Sequence, residues 1–234
     1  MHTPPFNQFG ISHVIILVIY IVAFVLIIAL SHHQHTQKFF VQLTHWLLFT
    51  ILILSEISYQ WWTLTTGIWN LQEHIPLHLC GIASITGAIA LATKSQKLSY
   101  ITFYIGFIPA LLALITPELP YDFPHFRYWK FFIHHMAISL TSIFLLLFIV
   151  QSITFRSVLE TYGYLLAYAI FIGFIINPLF QSNYLYLSST PTAKTPLDLL
   201  GDGWLYYLSL CILAFLVFVV CYMVIYRRII IRNH

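Results

Sequence analysis

The sequence predicts an all-α membrane protein, a bundle of about seven transmembrane helices in one domain spanning 1–234. Composition speaks first: 60% of the 234 residues are hydrophobic and only 7% are charged. A soluble domain covers itself with roughly 25% charged residues, so this surface is built for lipid. Segment length speaks second, because the apolar runs approach the ~20 residues that one helical crossing needs. The runs also do not alternate, and backbone in lipid must satisfy its own hydrogen bonds, which favours helices over strands.

The expected helices are 11–30, 43–62, 77–93, 98–116, 131–153, 159–180 and 204–226. The first follows an N-terminus without a basic region, and no small-residue cleavage site comes after it. It therefore reads as a retained helix, not a signal peptide. The second carries Glu56, about six residues before its end. The third, LHLCGIASITGAIALAT, is rich in Gly, Ala, Ser and Thr. Small residues let helices approach closely in membranes, which predicts that this helix lies at the centre of the bundle. The fourth and fifth flank TPELPYDFPHFRYW at 116–129, a loop stiffened by prolines and suited to the interface by its aromatic rings. The sixth leads into a long loop, 181–203, expected to form a partial lid. The seventh is bulky and expected to keep a face toward lipid. Cys80, Cys211 and Cys221 all lie in apolar runs, so no disulfide framework is expected.

Basic residues set the orientation. The first, third and fifth loops with the C-terminus carry Lys38, Lys94, Lys97, Arg156, Arg227, Arg228 and Arg232, while the other side carries Arg127, Lys130 and Lys194. Glu73, Glu118, Asp122, Asp198 and Asp202 all lie on that second side. Cytoplasmic loops collect Lys and Arg, which predicts the N-terminus outside and the C-terminus in the cytoplasm of a multi-pass cell-membrane protein. The net charge of +3 is small and points to no nucleic-acid partner.

With that topology, ionisable and amide side chains from five helices fall on the outer side, roughly 0–10 Å below the surface. They are His13, Glu56, His78, Cys80, His134, His135, Asn177, Asn183 and Tyr184. Polar groups inside a membrane are costly and face a cavity or one another, so their convergence marks a candidate site. Cys80 would sit in the first turn after Pro76, where the helix dipole favours a thiolate. From the residues alone the commoner reading is a small buried hydrophobe. His134 and His135 point about 100° apart, so only one of them faces Cys80's cavity. Glu56 is either a counter-ion for a histidine or a structural partner. His74 and His78 have metal-ligand spacing, which Pro76 between them weakens. His125 and Arg127 stand where a phosphate headgroup could dock.

These segments resemble the YwaF family of bacterial integral membrane proteins. The matching pieces are FGISH at 9–13, PLHLC at 76–80, LITPELPYDFPHFRYWKFFIHH at 114–135, SNYLYL at 182–187, and the Gly and Trp of LGDGWLYY at 200–207. That family is related to eukaryotic ether-phospholipid acyltransferases. The resemblance implies a nucleophile at Cys80 and a histidine base at His135. The chain departs from the family pattern at Gly201–Tyr206, where the family looks like Gly-Pro-Trp-Pro-Trp-Tyr, and at His134, usually a small residue.

The expected function is therefore phospholipid acyl transfer or transacylation at the outer leaflet, with phospholipid and lysophospholipid substrates and no cofactor or metal. Glu56, His78, His134 and Asn177 would support or orient the catalytic pair. His13, His125, Arg127, Asn183 and Tyr184 would bind substrate. Two alternatives stand beside it: a seven-helix metal-dependent lipid hydrolase, and a non-enzymatic lipid-binding or transport protein. Oligomeric state is open.

Overall fold

A computed structural model describes residues 5–32, 37–189, 200–201 and 203–232, with side chains described as far as Ile225. Among them there are seven main helices and no strand. They are α1 (Ile11–His32), α2 (Lys38–Thr65), α3 (Leu79–Thr93), α4 (Gln96–Ile115), α5 (Phe126–Phe148), α6 (Phe155–Phe180) and α7 (Gly203–Arg232). α6 passes through a π-turn at Ile172–Ile176 before its last turn, Asn177–Phe180. Six of the seven are long and apolar enough to cross a membrane.

The exception is α3, with 15 residues. At 1.5 Å per residue it covers about 22 Å, less than the ~30 Å of hydrocarbon. Its far end is followed by Lys94 and Lys97, the charges that mark the aqueous side of a membrane helix. Its first residues therefore stop short of the opposite surface, and the irregular stretch 66–78 enters the protein to meet them. Such backbone is tolerated at membrane depth only where protein encloses it.

Several boundaries differ from the hydropathy reading, and capping explains them. α5 starts at Phe126, not 131, because the Arg127 N–H donates to Nδ1 of His125, 3.1 Å away, which caps the helix. It ends at Phe148, not 153, and 149–154 run on without helical structure. α6 starts at Phe155, capped by the Thr154 hydroxyl. α2 exceeds its expected range at both ends. Aromatic and charged residues blurred these ends in hydropathy, yet they continue the helix because the backbone pairs internally.

The centre of the bundle is α5, not α3. About 61% of the α5 span is enclosed, the largest share of the six spans. α5 packs against α1, α2, α3 and α4. The small residues of α3 do permit close approach: a Cβ on Gly87 would lie 3.2 Å from Thr102 Cγ2 and 3.3 Å from Thr141 Cγ2. They line the faces toward α2, α4 and α5, while Ile85 and Ile89 are exposed. α7 keeps the lipid-facing side expected of it, with Ile212, Leu216, Val220 and Val224 exposed and Phe218 buried. Of the expected lid, 190–199 and Asp202 lie outside the described residues, and so do Lys194 and Asp198 of the charge argument.

Candidate functional site

The site is built where α3 begins. His78 is the extended cap residue, Leu79 the first helical residue and Cys80 the second. The Tyr168 hydroxyl of α6 donates to the Leu77 carbonyl at 2.8 Å and pins the approach. The chain doubles back so tightly that a Cβ on Gly81 would sit 2.5 Å from the Pro76 carbonyl oxygen. Glycine is required there by space. Cys80 is half-buried in the resulting corner.

α5 supplies the imidazoles. His135 Nδ1 lies 2.7 Å from the Phe131 carbonyl one turn earlier. A carbonyl only accepts, so Nδ1 carries the proton and Nε2 of the neutral ring carries the lone pair. His134 is buried, and its Nε2 has no hydrogen-bond partner among the described residues. The two rings lie 6.0 Å apart between centroids. Lys130, one turn before His134, crosses to α2. Its ammonium is 4.0 Å from Glu56 Oε2 and 4.2 Å from the centroid of the Tyr59 ring. It interacts electrostatically with Cys80, His134 and His135 together. Lys130 thus joins the thiol and both imidazoles into one charged neighbourhood.

Two residues expected to orient the imidazole are occupied elsewhere. The Gln60 amide donates to Glu56 Oε1 at 2.7 Å, and Glu56 also faces Lys130. Asn177 is buried, donates to the Tyr184 carbonyl at 3.0 Å, and accepts from the Tyr184 N–H at 3.0 Å and the Ser182 hydroxyl at 2.9 Å. It shapes the turn after α6. The Phe131 carbonyl orients His135 instead, because a carbonyl four residues back is in reach of any helical side chain that bends toward it.

The loop 182–187 lies over the start of α3. Tyr184 donates its hydroxyl proton to the Leu71 carbonyl at 2.7 Å and accepts from the Ile75 N–H at 3.2 Å, holding 71–75 in place. The Tyr186 hydroxyl donates to Glu118 Oε2 at 2.8 Å, and Tyr186 interacts electrostatically with Cys80. The rings of both tyrosines flank His78, with centroids 5.1 and 5.2 Å away. Leu185 and Tyr186 hold φ of 60° and 54°. Non-glycine residues rarely adopt this left-handed conformation, and it persists where surroundings over-determine it. Asn183 closes a local turn with Ser188 and Ser189.

The remaining expected residues lie at the same end of the bundle. His13 is fully buried, donates from Nε2 to the Leu114 carbonyl at 2.7 Å and accepts the Phe9 N–H on Nδ1 at 3.0 Å. Nε2 thus ties α1 to α4, and Nδ1 holds the turn that precedes α1. His125 caps α5, and Arg127 stands one turn before Lys130 within electrostatic range of it. In the connecting stretch, burial holds the His74 imidazole below its usual pKa against the pull of Glu73. His74 stacks on Tyr59 rather than facing His78. Among the described residues, no three His, Cys, Asp or Glu side chains gather to hold a metal ion.

Lys130, Gln60, Tyr168 and Tyr186 are the members that sequence reasoning missed. Lys130 was counted only as a topology charge. Its signal was its spacing in KFFIHH, where position 130 shares a helical face with 134.

The site therefore holds a thiol on the first turn of α3, an imidazole with a bare nitrogen on α5, and an ammonium within electrostatic range of both. That set suits nucleophilic chemistry on an ester. Among known proteins, the chain matches the model of the TMEM164 family over residues 8–222. No curated protein and no solved structure matches it.

Proposed function

The chain belongs to the TMEM164 family, a family of membrane proteins, and on that premise we propose that it transfers fatty acyl groups between phospholipids through a thioester on Cys80. The observation that carries the reading is the tautomer of His135, whose Nε2 is left as a base by the bond from Nδ1 to Phe131. The resemblance to YwaF and ether-phospholipid acyltransferases supports the same chemistry by analogy.

In the proposed reaction, His135 Nε2 takes the Cys80 thiol proton and the sulfur attacks the ester carbonyl of a donor phospholipid. The first-turn N–H groups of α3 have no carbonyl four residues back in the helix, so they are free to stabilise the oxyanion. The tetrahedral adduct expels the glycerol oxygen, which takes the proton from His135. Cys80 now holds the acyl chain, and a lysophospholipid is released. An acceptor lysophospholipid then gives its hydroxyl proton to His135 and attacks the thioester. The Cys80 sulfur leaves and recovers the proton.

Lipid mass spectrometry on membranes with and without the intact protein tests this. Acyl chains should redistribute among diacyl phospholipids, with matching changes in lysophospholipids. Unchanged lysolipids and unchanged chain distributions would overturn the proposal. The proposal includes the orientation, with the site open to the outer leaflet, on the seven-to-three bias of Lys and Arg. A reporter fused after His234 should be active only in the cytoplasm. Activity outside would move the chemistry to the inner leaflet.

A further inference from the structure

A cavity of about 210 Å³ opens between α2 and α3, lined by Leu52, Ile57, Gly81, Ser84, Ile85 and Ala88 among others. Glu56 stands in its wall, and Lys130 faces Glu56 from α5. Gly81, the residue after Cys80 in α3, lines the slot. Ile53, Ile57 and Ile85 are exposed along it, so the slot is open sideways toward lipid.

The ammonium near this slot is poorly satisfied. Lys130 has three N–H donors, yet among the described residues it makes no hydrogen bond. Its contacts are the 4.0 Å approach to Glu56 and the face of Tyr59. Glu56 is itself held by Gln60 at 2.7 Å, which limits how far it can turn toward the ammonium. Arg127 adds a second cation one turn away. A half-buried cation beside an apolar slot matches an amphiphile with an anionic head and a hydrocarbon tail.

We propose that this is the seat of a phospholipid, with its phosphate on the Lys130 ammonium and one acyl chain in the slot between α2 and α3. This rests on the acyl-transfer reading for its purpose, since an ester between head and tail would then lie at the level of Cys80. Lys130 is a binding residue in this account. Its charge selects lipids that carry a phosphate.

The test uses two ether lipids that the thiol cannot cleave, a dialkyl phosphatidylethanolamine and the phosphate-free dialkylglycerol. Binding of each to the full chain in detergent is read by native mass spectrometry, and melting curves match folded amounts. The parent should prefer the phosphate-bearing lipid, and Lys130→Met should lose about tenfold of that preference. Lys130→Arg should keep most of it, which separates charge from packing. Ile85→Trp should weaken both lipids alike by filling the slot. A preference unchanged in Lys130→Met, or lost equally in Lys130→Arg, overturns the phosphate seat. Parent-like binding of both lipids by Ile85→Trp overturns the chain site. Binding that behaves as expected in a protein that moves no acyl group would overturn the Cys80 chemistry and leave the seat standing.

Discussion

Cys80→Ala is expected to lower acyl transfer by about a thousandfold or more while leaving the melting temperature within a few degrees of the parent. The side chain is half-buried and small, so its removal opens little space. Serine in its place should restore little, because a hydroxyl is a far poorer nucleophile without stronger base assistance. His135→Ala should be comparably severe, since it removes the imidazole whose Nε2 is left bare by the bond from Nδ1 to the Phe131 carbonyl. The double variant should be little worse than either single one, because residues that act as a unit give non-additive losses. Intact-protein mass spectrometry should show an acyl adduct on the parent that hydroxylamine removes and that Cys80→Ala never acquires. Cys211→Ala and Cys221→Ala control for general thiol damage. Both are half-buried in α7, and the contact at Cys211 is made by its carbonyl, which accepts from Tyr162. Full activity in Cys80→Ala would eliminate the covalent route.

Gly81→Ala should be the most damaging change of a single methyl group near the site. The added Cβ would lie 2.5, 2.7 and 2.9 Å from the oxygen, carbonyl carbon and Cα of Pro76. These are backbone atoms and cannot rotate aside as a side-chain tip would. The stretch holding Pro76 must lift from α3, against the Tyr168 bond at Leu77 and the Tyr184 bond at Ile75. Overpacking of this kind costs about 1–3 kcal/mol, occasionally more. The functional loss should exceed the stability loss, because Cys80 and the first-turn N–H groups move with the chain. Acyl transfer is expected to fall by at least about a hundredfold, as a shift of about 1 Å can do. Gly163→Ala is the matched control, since nothing lies within 4 Å of its added Cβ. A Gly81→Ala protein with parent melting temperature and activity would show that the corner is looser than its geometry states.

Much of the site's depth is legible in the sequence, and much of its wiring is not. Cys80 and His135 could be placed at one end because hydropathy counts residues along an axis. Asn177 and Tyr184 could be placed at the same end but not given their work. Their partners are each other and residues 71–75, more than 100 positions away along the chain. His13 shows the same limit, with one nitrogen on Leu114 across 101 residues. Such bonds depend on how each helix is rotated about its axis, and a uniformly apolar helix carries little information about rotation.

The sequence by itself determined the membrane class, the near-seven helices and the end of the bundle where polar groups collect. Each follows from the length and composition of local segments measured against a bilayer of fixed thickness. The tertiary structure decided that α5 occupies the centre, that Lys130 meets Glu56 and Tyr59 of α2, and that the Phe131 carbonyl fixes the His135 proton. The reason is angular. Successive residues on a helix point 100° apart, so the function of a side chain is set by rotation and neighbours, which exist only once the helices have packed.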